Sequence, residues 1–220
     1  MTYLICTKDF DEDLWRKTRK CEQIVSPGIV NQSSKNHSQL GRVLLSYVLM
    51  INGKENKLAF TYGSNGKPYL KDGRTFFNIS HSGNYVICSI SESEIGCDVQ
   101  VLSEYKDRIA KRFFTEEEHK ILNSSENPSE DFTKLWTLKE SVLKKNGEGI
   151  TGGLSAFCFA DCLQENSFIK FGYHFKVSRI DGAYISVCSD KEETGITEIN
   201  KEEIQKYMDL ILKGELYGNN

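Results

Sequence analysis

The spacing of apolar and polar positions changes several times along the chain, and each change marks an element. Residues 36–51, NHSQLGRVLLSYVLMI, are apolar over one continuous side and predict a buried helix, with Asn36 or Ser38 as its capping candidate. Short runs with strand character follow at KLAFTYG (57–63), YLKDG (69–73), FFNIS (76–80), NYVICSI (84–90) and IGCDVQV (95–101). Gly63, Gly66, Pro68, Gly73 and Gly83 punctuate them, which predicts an antiparallel meander packed on a helix. From 104 to 146 the period becomes helical, with Thr115 and Glu118 at capping-box spacing. Strand patterns return at LSAFCFA (154–160), SFIKFGYHFKV (167–177) and AYISVCS (183–189). EINKEEIQKYMDLILKG (198–214) closes as an amphipathic helix.

Two stretches are alike, GNYVICS (83–89) and GAYISVCS (182–189), and SQLGRVLLS (38–46) and TKLWTLKES (133–141) precede them at similar distances. The pattern predicts an α+β fold of two related halves, residues 1–103 and 104–220, arranged as a pseudo-twofold monomer with a site between them.

Composition narrows the function classes. The chain has 220 residues, 39% hydrophobic and 27% charged, with a net charge of -3. That is an ordinary globular balance, and it carries no general footprint for nucleic acid. No basic segment leads into a long apolar run, and nothing approaches the roughly 20 apolar residues that span a bilayer, so a cytoplasmic protein without membrane partners is expected. Seven cysteines include no CxxC pair. Those in apolar runs, such as Cys88 and Cys188, read as reduced core residues.

Three segments carry candidate chemistry. In LWTLKESVLKKNGEG (135–149), Trp136, Glu140 and Lys144 share one helix face. Taken alone, Glu140 and Lys144 make a surface pair worth about 0.2–0.5 kcal/mol. In IGCDVQV, Ile95, Cys97, Val99 and Val101 point one way and Gly96, Asp98 and Gln100 the other. If that polar face meets the Glu140 helix, three oxygen donors converge in a manner suited to Mg²⁺; otherwise it faces solvent. In FFNISHSG (76–83), Ser80 and His81 end a strand before a glycine turn, where hydroxyl, imidazole and backbone N–H groups donate to an anion. Adjacent residues of a strand point apart, so the adjacency is no evidence for a Ser-His nucleophile pair, and no G-x-S-x-G elbow occurs. Lys67, in GSNGKPYL, reads as a loop lysine, and KTRK (17–20) as a solvated helix face.

In order, GKPYL, FNISHSGNYVICSI, IGCDVQ, RFFTEEE and LWTLKESVLKKNGEGI closely resemble the 4′-phosphopantetheinyl transferases of the surfactin-synthetase-activating type. The resemblance covers most of residues 38–160. It implies a pseudo-twofold α+β monomer that binds coenzyme A between its halves, moves the phosphopantetheine arm to a serine of an apo acyl or peptidyl carrier protein, and releases adenosine 3′,5′-bisphosphate. It implies Mg²⁺, or Mn²⁺ in its place, held by Asp98 and Glu140, with Lys144 near the reacting phosphate. Ser80, His81 and Lys67 match residues that hold the coenzyme A phosphates. Lys17 and Lys20 match a basic pair for the 3′-phosphate, and Ser38 falls where the family often has threonine. Where this type commonly has D-x-E, the chain has Asp98-Val99-Gln100, so Gln100 is expected to bind the metal through its carbonyl oxygen, hold a metal-bound water, or do neither. On this reading metal and lysines keep Glu140 ionised, so that it holds the metal and accepts the serine proton. The segment after Arg112, with Phe113 and Phe114, is the expected carrier-docking region. A coenzyme A-binding module without catalysis and an interaction protein on the same scaffold stay open on the sequence.

Overall fold

The computed structural model describes residues 1–27, 36–149, 153–193 and 195–216. Among them the alternating runs form two four-stranded sheets and a small hairpin, and the helical runs cover their outer faces. In the first sheet, β1 (Thr2–Cys6) lies between β5 (Tyr85–Ser91) and β10 (Ile196–Glu198), with β4 (Phe76–Ser82) beyond β5. The second runs β6 (Ile95–Val101), β9 (Ala183–Ser189), β8 (Tyr173–Ile180) and β7 (Ser167–Lys170), antiparallel throughout. β2 (Phe60–Tyr62) and β3 (Pro68–Leu70) pair apart from both.

The apolar side of α2 (Asn36–Ile51) explains its placement. Leu40, Val43, Leu44 and Val48 are fully buried among Val86, Cys88 and the α1 residues (Glu12–Val25) Leu14 and Cys21. The amphipathic C-terminal helix, α6 (Lys201–Leu212), folds back onto this cluster through Ile204, Tyr207 and Met208. On the second sheet, α3 (Asp107–Phe113), α4 (Glu116–Ser124) and α5 (Pro128–Asn146) gather Phe114, Leu122, Phe132, Leu135 and Leu138 against Phe175 and Val177. The capping box expected at Thr115 and Glu118 starts α4. Between the sheets, Leu4 and Ile87 pack with Ile95, Cys97, Val99, Ile185 and Val187. The molecule is therefore layered helix, sheet, sheet, helix, an α+β fold.

Several expectations are corrected. The first sheet is not a simple meander, because β1 inserts beside β5, and β6 leaves for the second sheet. Along the chain β6 precedes residue 103 and lies in the second sheet, while β10 and α6 follow it and pack with the first sheet. LSAFCFA is not a strand; Leu154–Ala156 and Ala160–Cys162 form single turns of 3₁₀-helix, and Leu154 and Phe159, which precedes the second turn, are buried. SFIKFGYHFKV is a hairpin, since Phe171 and Gly172 take φ of 55° and 80° and reverse the chain. Ser38 lies within α2, and the residue preceding Asn36 is outside the described residues. Among the described residues no helix is long and apolar enough to cross a membrane.

Candidate active site

The strand β6 alternates as its sequence demands. Ile95, Cys97 and Val99 enter the inter-sheet core, which turns Gly96 and Asp98 toward α5. Gly96 brings the two backbones together: a methyl group built on it would overlap the Ser141 carbonyl oxygen and the Lys145 backbone nitrogen. This close approach sets Asp98, two residues along the same face, beside Lys144 of α5.

The edge of β4 meets the edge of β6 through side chains. Asn78 Oδ1, Ser80 Oγ and Ser82 Oγ accept from the backbone N–H groups of Cys97, Val99 and Val101 at 2.9, 3.4 and 3.1 Å. Their period of two matches the alternate N–H groups that β6 does not give to β9. Ser80 is thereby delivered into the Asp98 cluster. Its hydroxyl donates to Asp98 Oδ1 at 2.8 Å and accepts from Lys144 Nζ at 2.9 Å. Lys144 Nζ lies 2.5 Å from Asp98 Oδ1, and Gln100 Nε2 donates to Asp98 Oδ2 at 3.1 Å. Asp98 is thus a buried carboxylate with donors on both oxygens.

Glu140, 7% exposed, has no such set: it accepts no hydrogen bond from a described residue. Burial pushes its carboxyl above the usual range; the Lys144 charge opposes the shift and the nearby Asp98 carboxylate adds to it. The Lys144 charge on its own does not offset the burial of Glu140. Burial pulls the Lys144 ammonium down, but the Asp98 charge and hydrogen bond outweigh it and its pKa is raised. The ammonium has one N–H uncommitted to any described residue and a side chain 28% exposed.

The donors fit a hard cation. Asp98 and Glu140, on facing elements, are two buried carboxylates that repel each other, and one of them has no hydrogen-bond donor. No group of three or more His, Cys, Asp and Glu side chains converges among the described residues. A pair of carboxylates with water and substrate oxygens is the coordination Mg²⁺ favours. The Gln100 amide turns its nitrogen to Asp98 and its oxygen to Ser82 Oγ, 3.4 Å away.

Other predicted residues fall in different places. Ser38 Oγ and His81 Nε2 are 3.1 Å apart, and His81 stacks on His37, whose ring meets Trp15. Lys17 turns away to α6 and pairs with Asp209 at 2.9 Å, while Lys20 is exposed. Lys67 is buried, with its ammonium on Glu94, the Ile95 carbonyl and the Lys145 carbonyl. Phe114 is 6% exposed and belongs to the core, and Phe113 packs edge-on against Trp136. Phe114 therefore offers no docking surface. The role of Lys139 escaped the sequence reading. Fully buried, it pairs with Glu118 at 2.7 Å and donates to the carbonyls of Leu154 and Phe157. Its only signal was a lysine among apolar neighbours in LWTLKES.

A model of the 4′-phosphopantetheinyl transferase superfamily matches residues 94–201, the stretch that holds β6 and α5. The chain is 30% identical over 200 residues to the 4′-phosphopantetheinyl transferase gsp of Aneurinibacillus migulanus, covering 87% of this chain and 84% of that protein. It is 34% identical over 123 residues to psf-1 of Bacillus pumilus and 32% identical over 146 residues to Sfp of Bacillus subtilis. Those alignments span 53% and 63% of the two proteins' lengths. The matched stretch contains both the strand that carries Asp98 and the helix that carries Glu140 and Lys144, and the likeness to gsp runs through most of both chains; the chain belongs to the 4′-phosphopantetheinyl transferase family of transferases.

Proposed function

We propose that this protein moves the phosphopantetheine arm of coenzyme A to a serine of an apo acyl or peptidyl carrier protein and releases adenosine 3′,5′-bisphosphate. The observation that carries the reading is the meeting of Asp98, Lys144 and Glu140 where β6 packs on α5. Asp98 and Glu140 would hold Mg²⁺ or Mn²⁺, which when bound neutralises charge on the pyrophosphate.

The protein's own groups divide the remaining work. The serine oxygen attacks the phosphorus that bears the pantetheine arm; a new P–O bond forms as the P–O bond to the departing nucleotide phosphate breaks. Glu140, whose carboxyl burial makes more basic, takes the serine proton directly or through a water. Lys144 directs its uncommitted N–H to the phosphate oxygens and offsets charge on the leaving group. Ser80 orients Lys144 and Asp98, and the Ser38–His81 pair at the start of α2 is a donor set for coenzyme A phosphate. Ordered donors supply proximity and reduce the reorganisation needed. A monomer suffices, since all these groups lie in one chain, and the seven free thiols suit the reducing cytoplasm.

The test is intact mass spectrometry of several apo carrier proteins incubated with this protein, coenzyme A and Mg²⁺, with an EDTA control. The expected result is a metal-dependent gain of one phosphopantetheine arm. No gain on any carrier, with coenzyme A still bound, would overturn the reading.

A further inference from the structure

Lys67 was matched by sequence to a ligand of the coenzyme A phosphates, yet its surroundings describe another task. Its side chain is 6% exposed. The ammonium donates to Glu94 Oε2 at 2.5 Å, Lys145 O at 2.7 Å and Ile95 O at 3.3 Å, which uses all three of its N–H groups. A lysine so enclosed has no donor left for a phosphate.

The acceptors explain the arrangement. Lys145 lies in the last turn of α5, whose final carbonyls have no partner within the helix, and a cation there also meets the negative end of the helix dipole. Ile95 is the first residue of β6. One ammonium therefore ties the end of α5 to the start of β6. The same loop adds a second tie: Asn65 Nδ2 donates at 3.0 Å to the carbonyl of Gly147, the left-handed cap of α5. Gly147 also lies beneath the Lys67 stem, because a Cβ there would stand 3.3 Å from Lys67 Cδ. The clamped turn contains Lys144, the residue before Lys145, and sits over Gly96, two residues before Asp98.

We propose that Lys67 is a positioning residue, one that clamps the end of α5 against β6 so that Lys144 and Glu140 stand at the correct height over Asp98. The inference rests on the transfer reaction proposed above for its kinetic part and on geometry alone for its structural part. It predicts a division of effects that a phosphate ligand would not produce. A displacement of the reacting groups by about an ångström lowers turnover on the order of a hundredfold. Lost contact with coenzyme A phosphate would instead raise KM for coenzyme A.

The experiment compares wild type, Lys67→Met, Lys67→Arg and Glu94→Gln by steady-state kinetics with coenzyme A and a carrier protein, and by hydrogen exchange of the amides from Leu143 to Gly147. Lys67→Met is expected to lower kcat with KM for coenzyme A unchanged and to speed exchange at the end of α5 about tenfold or more. Lys67→Arg should restore part of both. Glu94→Gln leaves the lysine in place and tests the clamp if Lys67→Met does not fold; it should move both readouts in the same direction by less. A raised KM with kcat and exchange unchanged would overturn the proposal and return Lys67 to the phosphates. Absence of transfer by the wild type would sink the functional reading, and unchanged exchange in the variants would then separately sink the clamp.

Discussion

Lys144 pairs with Asp98 across two elements and not with Glu140 on its own helix, its nitrogen lying 2.5 Å from Asp98 Oδ1. The i, i+4 spacing that suggested a surface pair instead leaves Glu140 without a hydrogen bond among the described residues. The lysine fixes one carboxylate and leaves the other without a donor among the described residues.

Lys144→Ala should therefore damage both fold and turnover. It strands Asp98, whose side chain is 1% exposed, as a buried charge without its cation. Breaking such a pair costs about 3 kcal/mol. Urea denaturation should report that loss, and kcat should fall more than the affinity for coenzyme A; an effect on affinity alone would restrict Lys144 to binding.

Glu140→Gln should stabilise the metal-free protein at neutral pH while abolishing transfer. Its folded pKa is raised, so the native state holds its proton to higher pH than the unfolded chain does. Stability from this group falls as pH rises from the ordinary carboxylate range through the raised value, and the neutral amide removes that fall. Thermal melts from pH 4 to 8 should show the variant's advantage growing with pH, and Mg²⁺ should raise Tm in wild type only. Transfer at the wild-type rate would end the catalytic role.

Gly96→Ala tests the close approach of β6 and α5. The added methyl meets backbone atoms of Ser141 and Lys145, which cannot turn aside as a side chain can. A destabilisation of about 3 kcal/mol is expected, at the upper end for overpacking, with α5 displaced from Asp98. A variant with wild-type denaturation midpoint and turnover would show that the approach is not required.

Lys139→Met should leave Glu118 buried at the start of α4 with its charge uncompensated, at a cost of about 3–5 kcal/mol. Adding Glu118→Gln to it should recover part of the loss, because the stranded charge disappears. Additive losses in the double variant would show that the two residues act separately.

Gln100→Glu adds a third carboxylate to the Asp98 and Glu140 pair, in place of an amide that now donates to Asp98. Like charge should lower Tm without metal and enlarge the Mg²⁺-dependent rise. A Tm rise by Mg²⁺ equal to wild type would remove position 100 from the metal's surroundings.

Much of this fold could be read from local pattern. The period of two in IGCDVQV marked β6, the short apolar run AYISVCS marked β9, and the spacing of Thr115 and Glu118 marked the start of α4. These signals lie within one element, where side-chain direction follows from backbone geometry. LSAFCFA misled because apolar content without clear alternation does not distinguish a strand from a coil drawn inward by Phe159 and Leu154.

The sequence by itself determined which face of each element is apolar, where Asp98 lies on its strand, and that Glu140 and Lys144 share a helix face. Only the tertiary structure decided the partners. Lys144 pairs with a residue 46 positions away, Lys17 with one 192 away, and Lys67 closes on carbonyls that no side-chain pattern records. Periodicity reports the environment of a face, whereas an ion pair depends on which two faces meet and at what height; here the packing of β6 under α5 at Gly96 sets both.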